Sequence, residues 1–367
     1  MGSFTIEIDA EKLKDILKKA DRVCGTLEPS NRKLTFFPQE GKLYLMASDS
    51  CFRGYFELSP YLFSKPFQPF QISLDVVKQF SSELLGRVNL LFQDGIVTFK
   101  CQNEILRLRV NYIENMAIQK VPEKMVLVSK KKFLSDFDLA SCFIEEGSNV
   151  DIFISPNNIE LISHHSGMLS YIKLGTQNIE ESEEKGTFEF KPGSFSTSIP
   201  YVSARHIIKT FDLEEIEEIK IHFDELDQKM YILGNDIFTV CGDKPTETPE
   251  KIRNLCNRFQ MQAKINAAQL QKLLRRSLIS GRFSDTQLYT RNGELVVVSQ
   301  YGGIAYKGGI NTEINVNFSI KIKAHLLRSA LNRMGSQNVL ISIVEDFVLF
   351  SSPSLTRFLI LRNERVE

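Results

Sequence analysis

Basic side chains recur along this chain at helical spacing, each time opposite an apolar face. After Phe4–Ile8, the residues Leu13, Ile16, Leu17 and Ala20 share one side of a predicted helix, and Lys14, Lys18 and Arg22 share the other. Lys78 stands in a second helical segment, and Lys131 and Lys132 flank Phe133 and Phe137 in a third. In a fourth, Ala204, Ile207, Ile208 and Phe211 face inward, leaving Arg205, His206 and Lys209 outward. Leu270, Leu273 and Leu274 leave Lys272, Arg275 and Arg276 outside a fifth; Leu327, Ala330, Leu331 and Met334 leave His325 and Arg328 outside a sixth. Lys and Arg are good helix formers, so one such face has an ordinary explanation. A face built only for solubility mixes signs to gain i,i+4 pairs, however, and the last three helices carry no acidic residue. Repeated cations with few interleaved aromatics suit contact with duplex phosphates, which positions a protein without reading sequence. Single-strand binding asks for stacking aromatics and fits less well.

Other groups offer no catalytic constellation. His164–His165, beside Ser163 and Ser166, lacks the partners of a metal helix or a nucleophile elbow and is expected at a strand end or turn. Asp224–Glu225 falls between predicted strands with no companion carboxylate. Tyr301–Gly302–Gly303 and Gly308–Gly309 have no phosphate-loop lysine and read as turns around a strand. Six cysteines (Cys24, Cys51, Cys101, Cys142, Cys241, Cys256) are scattered singly, without a CxxC pair, and are expected as reduced thiols in a cytoplasmic protein. No cofactor or metal is expected. No apolar run approaches the ~20 residues that span a bilayer, so no membrane partner is expected.

The elements that carry the cations form a repeat. A strand enters a helix and three short strands follow; the order begins at Phe4–Ile8 and restarts at Phe67–Ser73, Met125–Ser129, Phe195–Pro200, Phe259–Ile265 and Val316–Ile322. Six units in 367 residues give a period of about 61, the mark of an array or ring of supersecondary units. Paired, they predict three domains, 1–122, 123–248 and 249–367, with junctions near Val121–Pro122–Glu123 and in the polar stretch Asp243–Pro249, read as a linker or extended crossover. Glu180–Glu181–Ser182–Glu183–Glu184 reads as a solvated loop. Lys plus Arg and Asp plus Glu both number 45, so basic helices require net acidic strands and loops.

With these residues in view, the chain resembles the bacterial sliding clamp, the beta subunit of DNA polymerase III. Phe4–Thr5–Ile6–Glu7–Ile8 and Leu13–Lys14–Asp15–Ile16–Leu17 look like the family's opening, and Gly41–Lys42–Leu43–Tyr44–Leu45–Met46–Ala47–Ser48–Asp49 matches its DGKLxLxATD pattern. Asp94–Gly95–Ile96–Val97–Thr98–Phe99, Asn266–Leu274 and Ser319–Leu331 follow the same layout. The resemblance implies an α+β fold of three tandem clamp domains, each of two strand–helix–three-strand units, with helices inside and sheets outside a ring. It implies a non-catalytic processivity factor in which two chains close head to tail around double-stranded DNA, and the basic residues named above line the hole. It also implies a groove that binds DNA polymerase and clamp-loader peptides, carried here by Met168, Leu169, Pro245, Leu359 and Leu361. Two stretches depart from the family: its TDGHRLA segment reads His164–His165–Ser166–Gly167–Met168–Leu169–Ser170, and its MPMRL-like ending reads Leu359–Ile360–Leu361–Arg362–Asn363–Glu364. The alternative is a clamp-like paralog acting as a monomeric scaffold or regulator that encircles nothing.

Overall fold

A computed structural model describes residues 3–25, 27–49, 51–60, 67–114, 116–118, 125–155, 158–175, 194–246, 248–312 and 316–364. Seven α-helices lie among them: α1 (Ala10–Cys24), α2 (Leu74–Ser81), α3 (Lys130–Ser141), α4 (Tyr201–Phe211), α5 (Pro249–Asn257), α6 (Ala267–Ser277) and α7 (Ala324–Arg333). Every one but α5 continues directly from a strand: Phe4–Asp9, Phe70–Ser73, Val126–Ser129, Phe195–Pro200, Ala263–Asn266 and Ser319–Lys323. At α1, α2 and α6 the N-cap residue keeps extended backbone angles while its side chain closes the first turn, so strand passes to helix without a loop. Helices α3 and α7 start from extended residues with no side-chain cap bond. Asp9 accepts from the Glu11 amide at 2.8 Å, and Asn266 from the Gln269 amide at 3.1 Å. After each of these six helices come three antiparallel strands, so the sixfold unit is present and the fold is α+β.

Contacts gather the chain into two compact units, Met1–Val126 with His206–Cys241, and Leu127–Arg205 with Gly242–Glu367. The sequence division into three domains follows the repeats, whereas this one follows packing. The predicted junction at Val121–Pro122–Glu123 and the acidic run at 180–184 lie outside the described residues.

In the first unit, a four-stranded sheet runs Phe4–Asp9, Arg87–Gln93, Ile96–Cys101, Glu104–Arg109. A longer sheet runs Glu218–Asp224, Lys229–Leu233, Ile237–Cys241, Phe52–Pro60, Lys42–Asp49, Lys33–Gln39, Phe70–Ser73, Asn111–Tyr112. The second unit repeats the scheme. Its eight-stranded sheet runs Phe195–Pro200, Asn149–Ser155, Asn158–His165, Met168–Gly175, Arg357–Arg362, Phe347–Ser351, Asn338–Val344, Ala263–Asn266, and its four-stranded sheet runs Ile304–Asn311, Glu294–Tyr301, Asp285–Arg291, Ser319–Lys323. Among the described residues the outer strands of each four-stranded sheet have one ladder neighbour: Phe4–Asp9 and Glu104–Arg109 in one unit, Ile304–Asn311 and Ser319–Lys323 in the other.

The hairpins follow their turn residues. Asp94–Gly95 and Asn292–Gly293 take left-handed angles at both positions (φ 54° and 75°, 50° and 76°), as two-residue hairpin turns require. Gly308–Gly309, expected as a turn, instead lies inside Ile304–Asn311. A Cβ on Gly309 would come within 1.9 Å of Glu294 Oε1, so glycine there makes room for the side chain of the neighbouring strand.

Helix α1 buries Leu13, Ile16, Leu17, Ala20 and Val23 against the strands Lys42–Asp49 and Phe52–Pro60, with α2 beside it. Phe4, Phe70 and Phe92 pack together nearby, with Phe70 and Phe92 centred 4.5 Å apart. Burial of each such ring contributes about 1.5–3 kcal/mol. In the second unit α7 packs beside both α6 and α3.

The expected faces of α4 are corrected. His206, expected outward, is buried at 5% exposure. The buried residues of α4 are Ser203, Ala204, His206, Ile207, Thr210 and Phe211, with Ile208 only half-buried, so the inner face is turned toward small polar positions that an apolar count overlooks. The ring of His206 reaches Gly25, where a Cβ would lie 2.4 Å from it, and its Nδ1 is 3.1 Å from Asp49 Oδ2. Burial holds this imidazole below its ordinary pKa, with Asp49 opposing and Lys209 adding to the effect. The stretch read as a linker or extended crossover leads straight into α5, which begins on Pro249, a proline suited to a first helical position.

Candidate nucleic-acid interface

The twelve basic residues singled out in the sequence fall into two groups once their partners are seen. In the first unit, Lys18 and Arg22 on α1 and Lys209 on α4 are exposed and make no ion pair among the described residues. Lys14 reaches Glu11 at 2.9 Å on its own helix, and Lys78 reaches Asp21 at 2.8 Å. Burial alone would raise the Asp21 carboxyl, but Lys78 and Arg32 outweigh it and hold the pKa low, so this acid stays charged and keeps its cations.

In the second unit, Lys131 and Lys132 at the start of α3, and Lys272, Arg275 and Arg276 on α6, are exposed without an ion pair among the described residues. Arg205 is half-buried and donates to Asp138 Oδ1 at 2.5 Å; Arg333 donates to Asp138 Oδ2 at 2.6 Å. Arg357 donates to Asp136 at 2.6 Å and to the Met334 carbonyl at 2.8 Å, closing the end of α7 onto α3. Arg328 lines a cavity of about 550 Å³ together with Arg282, Arg333, His325 and Glu145. Burial and the neighbouring Arg282 keep His325 below its ordinary pKa, so the imidazole is neutral at pH 7.

A basic residue that the sequence reading passed over marks the core of the first unit. Lys19 is 5% exposed and lies 2.9 Å from Glu214, 2.8 Å from Asp236 and 3.1 Å from Asp15. Burial works against its charge, yet bonds to Asp236 and Glu214 carry its pKa above the usual lysine value. Burial pushes Asp236 up to about 6, with Lys19 opposing and Glu214 adding, because several carboxylates share one ammonium. This lysine ties α1 to the Glu214 and Asp236 segments and is not available to a ligand.

The strand ladder divides the five groove residues. Met168 stands opposite Leu361 and Ser170 opposite Leu359, so Met168, Leu359 and Leu361 share one face of the sheet, where all three are buried at 3% or less. Leu169, opposite Ile360, points to the other face and is half-buried. There it packs with Ile162, Tyr171, Phe358 and Ile360 under Ile252, Leu255 and Cys256 of α5. Pro245 is half-buried; the next residue, Thr246, donates to Asp151 Oδ2 at 3.1 Å. Helix α5 is held by Arg253, which donates to both oxygens of Glu160 at 2.9 and 2.5 Å, with Tyr171 donating to the same carboxylate. Burial of Glu160 is outweighed by these bonds, and its pKa lies below the usual value. Pro249, Glu250 and the i, i+3, i+4 set Ile252, Leu255 and Cys256 are a helix signal that the polar run before them obscured.

His164 is exposed at the end of Asn158–His165, and His165 lies 3.4 Å from Ser148 Oγ and 3.8 Å from Glu145. Asp224 accepts from the amides of Leu226 and Asp227, a turn that uses the carboxylate locally. Among the described residues no three His, Cys, Asp or Glu side chains gather as a metal site, and no helix is long and apolar enough to cross a membrane.

The fold these six units build is one found in solved bacterial DNA polymerase III beta subunits. The whole chain aligns with DNA polymerase III subunit beta from Pseudomonas aeruginosa at a TM-score of 0.80 and 12% identity, covering 99% of this chain and 100% of that one. The beta subunit from Thermotoga maritima aligns at 0.77 and 13% over 99% and 100%, and the beta chain from Streptococcus pneumoniae TIGR4 at 0.78 and 14% over 100% of both. At such identities the likeness is one of fold. No family model and no curated protein matches the chain by sequence.

Proposed function

We propose that the chain is a DNA sliding clamp: a non-catalytic cytoplasmic processivity factor that encircles duplex DNA as a head-to-tail dimer and tethers DNA polymerase. The observation that carries this reading is the set of exposed cations without ion pairs, Lys18, Arg22, Lys131, Lys132, Lys209, Lys272, Arg275 and Arg276, all on helices whose other face is apolar. Such cations hold duplex phosphates without sequence preference and leave the protein free to move along them. Enclosure of the DNA then supplies the processivity that weak contacts lack.

Two outer strands that have one ladder neighbour among the described residues support closure. Glu104–Arg109 exposes Ile105, with Leu85 also exposed in that unit; Ile304–Asn311 exposes Ile304, with Tyr301, Ile279 and Phe283 exposed in the other unit. Open edges carrying apolar residues are sites where another chain adds a strand. Pairing one edge with the other edge of a second copy is a heterologous contact, and a ring forms when its rotation closes. Partner peptides, from a polymerase or a clamp loader, dock on the α5 side of the eight-stranded sheet, where Leu169, Phe153, Phe259 and Phe347 form a partly buried apolar rim.

Threading tests enclosure without a loading enzyme. The protein is mixed with linear duplex whose biotinylated ends are then blocked by streptavidin, and retention is read in 1 M salt, where phosphate contacts fail by counterion competition. Retention only when the protein precedes the block is expected. Equal loss in either order of addition would leave a clamp-like scaffold or regulator that does not encircle DNA.

A further inference from the structure

Two of the six cysteines face each other across a strand pair. Ile237–Cys241 runs antiparallel to Phe52–Pro60, with Ile237 opposite Tyr55 and Val240 opposite Phe52. One step along that register, Cys241 stands opposite Cys51, and the Cys241 amide donates to the Cys51 carbonyl at 3.1 Å. Each sulfur lies against the other residue's carbonyl: Cys51 Sγ is 3.6 Å from Cys241 O, and Cys241 Sγ is 3.4 Å from Cys51 O. Opposed residues of antiparallel strands have Cα atoms about 4.5–5.5 Å apart. A disulfide accepts about 4.4–6.8 Å, so the backbone already has the span it needs.

Cys241 is the exposed thiol; Cys51 and Cys142 are half-buried, and Cys24, Cys101 and Cys256 are buried. Burial pushes Cys24 and Cys142 up to about 11 and Cys256 to about 12, which suppresses their thiolates at neutral pH, and Cys101 is buried at 3% exposure.

We propose that Cys51 and Cys241 are a reversible redox pair that closes to a disulfide on meeting a small disulfide such as oxidised glutathione. The Cys241 thiolate, the more accessible, attacks one sulfur of glutathione disulfide; the S–S bond breaks and one glutathione leaves as thiolate. The Cys51 thiolate then attacks Cys241 Sγ, and the second glutathione leaves. The two protons from the cysteine thiols end on the two glutathiones, and the two electrons lost by the protein reduce the glutathione disulfide. The new bond joins residues 190 apart in sequence and pins the end of Ile237–Cys241 to the turn before Phe52, where segments from the first and fourth repeats share a sheet.

The test incubates the full chain with glutathione disulfide, caps remaining thiols with N-ethylmaleimide, and maps unreduced peptides by mass spectrometry. The expected result is a Cys51–Cys241 linked peptide, joint loss of both thiols from alkylation, and recovery of both after dithiothreitol. The variant Cys51→Ser should retain glutathione on Cys241, with at least about tenfold more adduct than the parent chain because no resolving thiol displaces it. Glutathione stably retained on Cys241 of the parent chain, or both thiols still open to alkylation after the oxidant, would overturn the proposal.

Discussion

Helix α6 and the corner where α3, α4 and α7 meet carry the same kind of residue in opposite circumstances. On α6, Lys272, Arg275 and Arg276 are exposed without an ion pair among the described residues, and the helix contains no acid. At the corner, Asp138 takes both Arg205 and Arg333, and Asp136, whose side chain is 6% exposed, takes Arg357. An arginine opposite a partly buried carboxylate is a tie between elements, and removing it strands a charge. An arginine with no acid in reach is hydrated and can exchange its counterion for a phosphate. What separates a structural cation from a binding one is therefore the neighbouring acid, not the cation's place on the helix.

Arg357→Ala should give the largest effect. Burial already raises the Asp136 carboxyl against the pull of Arg357, so losing the arginine leaves a buried acid uncompensated at a cost of about 3 kcal/mol, read by denaturant unfolding. An unfolding midpoint equal to that of the parent chain would break the distinction between tie and free charge.

Next comes Arg253→Met, which should cost about 2 kcal/mol at pH 7 through loss of the bonds to Glu160. Because the folded pKa of Glu160 lies below its unfolded value, this contribution is fully present above about pH 5 and is lost as pH falls through the folded pKa. Unfolding of parent and variant across pH 3–7 checks the sign, and a gap that widens in acid would refute it.

The combined Lys272→Ala, Arg275→Ala and Arg276→Ala variant sharpens the other side. Its stability should stay within about 0.5 kcal/mol of the parent chain, since exposed charges away from ties contribute little. Its duplex binding should weaken about tenfold at 0.1 M salt, with the log–log salt slope shallower by about 2–3. Arg205→Ala should be the mildest: Asp138 keeps Arg333, so stability falls by about 1 kcal/mol or less and the salt slope is unchanged. A slope change as large as that of the α6 variant would place Arg205 among the binding cations.

The contrast also marks what the sequence could disclose. Period and turn chemistry made the six units readable: Asp94–Gly95 and Asn292–Gly293 turn where hairpins need left-handed angles. Helix α5 escaped because the polar run 243–248 hides a start signal whose apolar set is only three residues, and the acid that retains Arg253 lies 93 positions away in sequence. His206 and Lys19 escaped for a related reason. Each sits on a helix face that the apolar count assigns to solvent, and the groups covering them, Asp49 for one and Glu214 and Asp236 for the other, come from distant segments. Among the groove residues, alternation alone could have separated Leu169 from Met168, but only the ladder with Arg357–Arg362 shows which face α5 covers.

The proposed pairing of Glu104–Arg109 with Ile304–Asn311 of a second copy is tested most directly by light scattering over a concentration series down to nanomolar. A stable particle of twice the 42.0 kDa chain mass is the predicted result. A monomer at every concentration would contradict the closed two-chain ring.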